Sequence, residues 1–474
     1  MPKGATSQNS RTPIPGKVEF HGPPPHPGDG TRRRRAPPPV MNVSPAQHRL
    51  WFLQQLDPGA TEYNGCVAYE LRGALDRRAL RLAVSDLVDR HEALRTSFPA
   101  QRGVPRMDIA PPGGGVDIPV VDISDAEASL FVEERISTPF ELAAGPPIRI
   151  WLLCLDRDRH VLVIVVHHIL IDAWSIEIMA EELKVLYTAH SSGTPVRLPA
   201  PEAQYSDFAA WQRATLTREH VERELSFWRE RLDGAPALLD LIADRPHQVD
   251  SSAAGEELLR PIPPDLVEQV RSLAVRYRRT MFVTALTALT ALLSHVSGTD
   301  DIVLTVPVSG RSRAEFQSTV GFFVNTVPLR MDIPRGLPFD RIAERVSAAT
   351  FDAMEHSSVP FDVLVSESRD RRGEGSTPLA DIAFQLLHTG AGRTRWGGLE
   401  VAEWGGARQA VSRFALELHV LDRAPRAMDQ ALCYRTDRLL PGTARRLLDG
   451  YEGVLWAAAA DPGAPLSELG SRAW

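Results

Sequence analysis

The chain has 474 residues, 43% of them hydrophobic, with 53 Lys and Arg set against 60 Asp and Glu. A formal net charge of -7 and a pI near 6.1 argue against a nucleic-acid partner, because phosphate contacts need clustered cations. Cys66, Cys154 and Cys433 are far apart and supply neither a disulfide framework nor a zinc-ligand spacing.

Residues 1–40 are rich in Pro, Gly and Arg, with Pro23-Pro24-Pro25, the run Arg32 to Arg35, and Pro37-Pro38-Pro39. Such a composition cannot bury a core and is expected to be disordered. It reads either as a docking tail or as a non-specific leader. Met41 begins the foldable region and is itself a candidate translation start. No run of about 18 apolar residues is available for a membrane helix, and the N-terminus lacks the apolar stretch of a secretory signal. A soluble, cytoplasmic protein with no membrane partner is expected.

From Met41 onward, helical and strand patterns alternate. Arg78 to Leu94 reads as a helix with Leu80, Leu82, Ala83, Leu87 and Leu94 on or near one face. His160 to His168 is a short, β-branched apolar run, the pattern of a strand buried on both faces. Trp174 to Tyr187 follows at helical spacing, with Asp172 or Ser175 as its cap. Val221 to Leu232 reads as another helix, and the Pro- and Asp-containing stretch 233–250 as a linker. Beyond it, Leu266 to Val296 reads as two helices, and Asp301 to Val308, Asn325 to Met331 and Ala380 to Leu387 read as strands. Alternation in both halves predicts two α/β units: an N-terminal lobe over 41–232 and a C-terminal lobe over 251–474.

The chemistry concentrates in His167-His168-Ile169-Leu170-Ile171-Asp172-Ala173-Trp174-Ser175. A strand ends in two histidines, and a tight loop leads into a helix. Successive strand side chains point to opposite faces, so one histidine can serve a cleft while the other is structural. The same divergence, with no third ligand nearby, argues against a metal site.

This stretch resembles the HHxxxDG motif of nonribosomal peptide synthetase condensation domains, with Ala173 where that family usually has Gly. Further segments are similar in the family's order. They are Ser44-Pro45-Ala46-Gln47-His48-Arg49-Leu50-Trp51, Arg90 to Phe98, Tyr205 to Gln212, Val320 to Thr326, and His356 to Asp362, the last with Ser-Ser in place of Gln-Asp. Ser376-Thr377-Pro378-Leu379 keeps only part of the last signature. Within the family, Asp172-Ala173-Trp174-Ser175 and Arg90 to Phe98 resemble the type that condenses L-configured donors more than an epimerising relative.

The resemblance implies two chloramphenicol-acetyltransferase-like α/β lobes in a V-shaped pseudo-dimer with a central tunnel. It makes His168 the candidate general base and the backbone N–H of Ala173 a candidate carbonyl-polarising donor. Asp172 is implied to form a structural ion pair, for which Arg311 is the candidate partner, and His167 to orient the loop. Trp174, Ser175, Asn325 and Thr326 are channel candidates, although Asn325 and Thr326 fit equally well as residues that satisfy backbone groups. No intrinsic cofactor or metal is implied. Substrates would arrive on the phosphopantetheine arms of a donor carrier protein and of an acceptor carrier, or the acceptor would be a free nucleophile. The competing readings are a CoA-dependent acyltransferase of the same superfamily, whose plant-type DFGWG motif the sequence lacks, and a non-catalytic recruitment module, which typically loses the histidine motif.

Overall fold

The computed structural model describes residues 41–246, 254–334, 336–372, 381–388, 392–406, 412–424 and 426–465. The leader (1–40), part of the expected linker and the partly matching segment 376–379 lie outside them. The histidine-bearing run forms the strand Arg159–His167, in which Val161 through Val166 are all buried. Neither face of this strand meets water, so its sequence lacks polar alternation. It sits inside a six-stranded sheet ordered Thr394–Trp396, Leu399–Glu403, Asn64–Arg72, Arg159–His167, Ile148–Asp156, Val120–Asp122. All neighbours in this sheet are antiparallel except the last pair.

A second six-stranded sheet is ordered Asn325–Asp332, Asp301–Val308, Ile382–His388, Leu416–Ala424, Ala427–Arg435, Gly255–Ile262. Its helices Pro264–Arg276, Met281–Ser297, Phe339–Glu355 and Pro441–Ala460 pack together, burying Leu266, Leu286, Ile342 and Val454 against it. Each sheet has its own hydrophobic core. Both sheets are open, and the fold is the mixed α/β, two-lobed one that the resemblance implied. No single helix among the described residues is long and apolar enough to cross a membrane. Pro264–Arg276 and Met281–Ser297 pass that test only as a pair bent by 107°.

Two expectations need correction. The helix expected over Arg78 to Leu94 spans Arg77–Arg90 and gives way to a 3-10 turn at Glu92–Arg95. His91 breaks it by adopting extended backbone, with its fully buried ring placing Nε2 2.7 Å from Glu182 Oε2. The division at 232/251 also has crossings. Leu225 and Trp228, on the helix Arg218–Leu232, belong to the second core. Phe316, Val320 and Phe323 belong to the first. Leu399–Glu403 pairs with Asn64–Arg72 in the first sheet, covering an edge whose backbone groups would otherwise be open. The described part of the linker is tied to the second lobe, where Asp244 accepts from Leu440 N and Thr443 Oγ1.

Candidate active site

The strand ends at His167, and a turn carries the chain to Asp172. Leu170 N–H donates to His167 O at 3.1 Å, and Ile171 N–H donates to His168 O at 3.2 Å. Asp172 has extended backbone and accepts from Ser175 N–H at 2.8 Å, so Asp172 rather than Ser175 caps the helix Ala173–Ser192.

The two histidines diverge. His167 is buried between the rings of Tyr63 and Phe140, and its Nδ1 accepts from Ile169 N–H at 3.0 Å. Burial, with His168 beside it, lowers its pKa to about 3. His168, one residue past the strand, is half-buried and faces Phe322. Its Nδ1 lies 3.3 Å from Ile171 O, and its Nε2 lies 3.4 Å from Arg413 Nη1. Gly65 on the adjacent strand leaves room beside it, since a Cβ there would sit 3.7 Å from Nε2. Burial first, then the Arg413 charge, lowers the His168 pKa to about 3, against a smaller opposing pull from Ile171 O and Glu417. The imidazole is therefore neutral at cellular pH, with one ring nitrogen unprotonated.

Asp172 points away from His168. Its Oδ1 accepts from Ser175 N–H, from Arg311 Nη2 at 3.0 Å and from Ser175 Oγ at 2.7 Å, while Oδ2 accepts from Phe323 N–H at 3.1 Å. Arg311 is held in turn by Phe316 O and Thr319 O, both 2.6 Å from Nη1, and its guanidinium lies 3.8 Å over the Phe323 ring. Both members of the pair are buried. Arg311 comes from the second half of the sequence, yet its segment packs into the first core. The segment fits closely there, because a Cβ on Gly321 would lie 1.9 Å from the Tyr205 ring.

The channel candidates fare differently. Ser175 is fully buried and stitches the helix start to the crossing segment, accepting from Gly321 N–H at 3.0 Å and from Arg311 Nη2 at 2.9 Å. It is not a wall of an open cleft. Trp174 is 52% exposed, with its indole N–H on Gln317 O. Asn325 spends its whole amide on one loop, donating to Ser357 O and Val359 O and accepting from Phe361 N–H. Thr326 is half-buried, opposite Pro307 in the second sheet. Ala173 is the first helical residue, so its N–H has no intrahelical acceptor. Among the described residues only Arg102 and Arg278 combine a side chain with positive φ, so alanine fits at 173 without strain.

Sequence reasoning passed over Arg413, Glu417 and His419. The alternation Leu416-Glu417-Leu418-His419-Val420 carried the signal, because it puts two titratable residues on the face opposite a core stripe.

A family model described as Condensation domain matches residues 39–472. Chondramide synthase cmdD of Chondromyces crocatus is 34% identical over 454 residues, covering 93% of this chain but 12% of that protein. The chain spans between 4% and 34% of other curated relatives that it matches. Among solved structures, the first condensation domain of the CDA synthetase superposes with a TM-score of 0.80 at 23% identity, covering 90% of this chain and 98% of that one. SgcC5 from Streptomyces globisporus, in complex with (R)-(-)-1-(2-naphthyl)-1,2-ethanediol and sucrose, superposes with a TM-score of 0.75 at 29% identity, covering 90% of this chain and 100% of that one.

Proposed function

We propose that the chain, which belongs to the condensation-domain family of nonribosomal peptide synthesis, transfers an acyl or aminoacyl group from a donor carrier protein's phosphopantetheine thioester to an amine or hydroxyl. The observation that carries this reading is His168, a neutral imidazole with Nδ1 against a backbone carbonyl and Nε2 facing the Arg413 guanidinium at 3.4 Å. The acceptor's nitrogen or oxygen bonds to the thioester carbon while its proton passes to Nε2. The C–S bond then breaks, and the departing sulfur takes that proton. The free N–H of Ala173 polarises the carbonyl as negative charge develops on its oxygen. The two arms meet at His168 from opposite ends of a channel between the lobes, and their positioning supplies much of the rate.

An amine with pKa about 8 is partly deprotonated at cellular pH, whereas a hydroxyl depends fully on the base. The likeness to SgcC5, whose structure holds a 1,2-diol, supports testing alcohols beside amines. The test incubates the protein with acylated carrier proteins and a panel of amines and alcohols, and reads the carriers by intact mass. Loss of the acyl group that depends on both protein and acceptor, with a matching product, is expected. Transfer from acyl-CoA alone would replace the proposal by the CoA-dependent reading. No transfer from either donor would leave a recruitment role.

The pH profile separates the acceptors. His168 is the base only when neutral, and its folded pKa of about 3 lies below the ordinary imidazole value of about 6.5. The rate with a hydroxyl acceptor should therefore stay level as pH falls through 6.5 and decline only below it. With an amine, the rate should fall earlier as the nucleophile itself protonates. An acid limb near pH 6.5 with the hydroxyl acceptor would contradict a base held neutral by its surroundings.

A further inference from the structure

The strand Leu416–Ala424 turns Leu416, Leu418 and Val420 into the second core. The alternate residues Glu417 and His419 occupy its other face. Glu417 is nonetheless buried, and one of its oxygens lies 2.8 Å from His419 Nε2 and 3.8 Å from Arg413 Nη2. These two neighbours and His168 hold its carboxyl at about 2 despite burial. Glu417 is thus a fixed anion inside the protein, and the guanidinium it draws in reaches His168, 245 residues away in sequence, from the other lobe.

The contacts on the His168 ring agree with each other. Arginine has only donors, so the ring nitrogen facing it, Nε2, must be the acceptor. A carbonyl only accepts, so Nδ1, facing Ile171 O, must carry the hydrogen. Both contacts select one neutral tautomer, the one a general base acting through Nε2 requires. A protonated ring would set an Nε2–H against the guanidinium N–H groups. The charged or titratable neighbours of the ring are Arg413, Glu417, His419 behind Glu417, and the buried His167.

We propose that Arg413, anchored by Glu417, is a positioning residue that fixes the tautomer of His168 and keeps its ring neutral. The inference rests on the reading of His168 as the base. It makes that base dependent on the second lobe, because only the docked strand Leu416–Ala424 brings Glu417 within reach. The 3.4 Å contact is long for a hydrogen bond, so an incoming amine or hydroxyl can take over the Nε2 lone pair while the cation stays beside it.

The test uses Arg413→Gln and Arg413→Lys in the full chain. One readout is the NMR titration of the His168 ring, assigned by its loss in His168→Gln. The other is the pH–rate profile with a hydroxyl acceptor. Arg413→Gln is expected to raise the His168 titration by about 1 pH unit or more, the scale of removing an adjacent like charge, and to move the acid limb with it. Arg413→Lys, which keeps the charge, should move both less. A folded Arg413→Gln protein, judged by its melting temperature, with an unchanged His168 titration would overturn the proposal. If the titration moves and the acid limb does not, the Arg413–His168 coupling stands and the assignment of His168 as the base falls.

Discussion

Replacing His168 by alanine is expected to lower turnover by about 10²–10⁴-fold, the usual contribution of a positioned general base, with little change in melting temperature. The ring is half-buried, and its two polar contacts are long, at 3.3 and 3.4 Å. Its removal strands no strongly held partner. The contrast is His167, which is buried between Tyr63 and Phe140 and accepts from Ile169 N–H. His167→Ala should destabilise the protein by about 1–3 kcal/mol, since it opens space and leaves a buried donor unpaired. Product formation followed by intact mass, beside thermal unfolding of both variants, separates the roles. A near-wild-type rate for His168→Ala with both amine and hydroxyl acceptors would remove His168 from the mechanism. The loss should be larger with the hydroxyl, which has no deprotonated fraction of its own at neutral pH.

Asp172→Asn and Arg311→Ala are each expected to cost about 3–5 kcal/mol, the range for removing one member of a buried ion pair. Asp172 accepts four contacts on its two oxygens, from Ser175 N–H, Ser175 Oγ, Arg311 and Phe323 N–H. An asparagine offers one accepting atom and turns donors toward groups that are themselves donors. Arg311→Ala frees the Asp172 charge and the carbonyls of Phe316 and Thr319, and it removes the cation over Phe323. The double variant should lose less than the sum of the single losses, because the pair is already broken by either change. Chemical denaturation of the four proteins measures the coupling. Additive losses, or a fully stable but inactive Asp172→Asn, would give Asp172 a catalytic role in place of the structural one.

The Asp172–Arg311 contact and the divergence of the two histidines were legible in the sequence. The pair came from a family motif, and the histidines from the two-residue period of a strand. The Ser175 and Asn325 expectations show where such reasoning stops. Both are small polar residues beside conserved-type motifs, and a polar side chain near a site reads alike whether it faces substrate or a backbone carbonyl. Only the folded chain shows Ser175 closed over by Gly321 and Arg311, and Asn325 bound to the loop Ser357–Phe361.

Periodicity is a local property, and by itself the sequence determined the features that depend on it. These are the buried strand before His167, the helix after Asp172, and the alternation of α and β in both halves. Tertiary structure decided everything that joins distant segments. It sent Thr394–Glu403 to the first sheet, took Trp228 into the second core, and brought Arg413 and Glu417 to His168. Those pairings follow from how open strand edges are covered and how two cores share their seam. Residues hundreds of positions apart meet there through packing, which no spacing along the chain encodes.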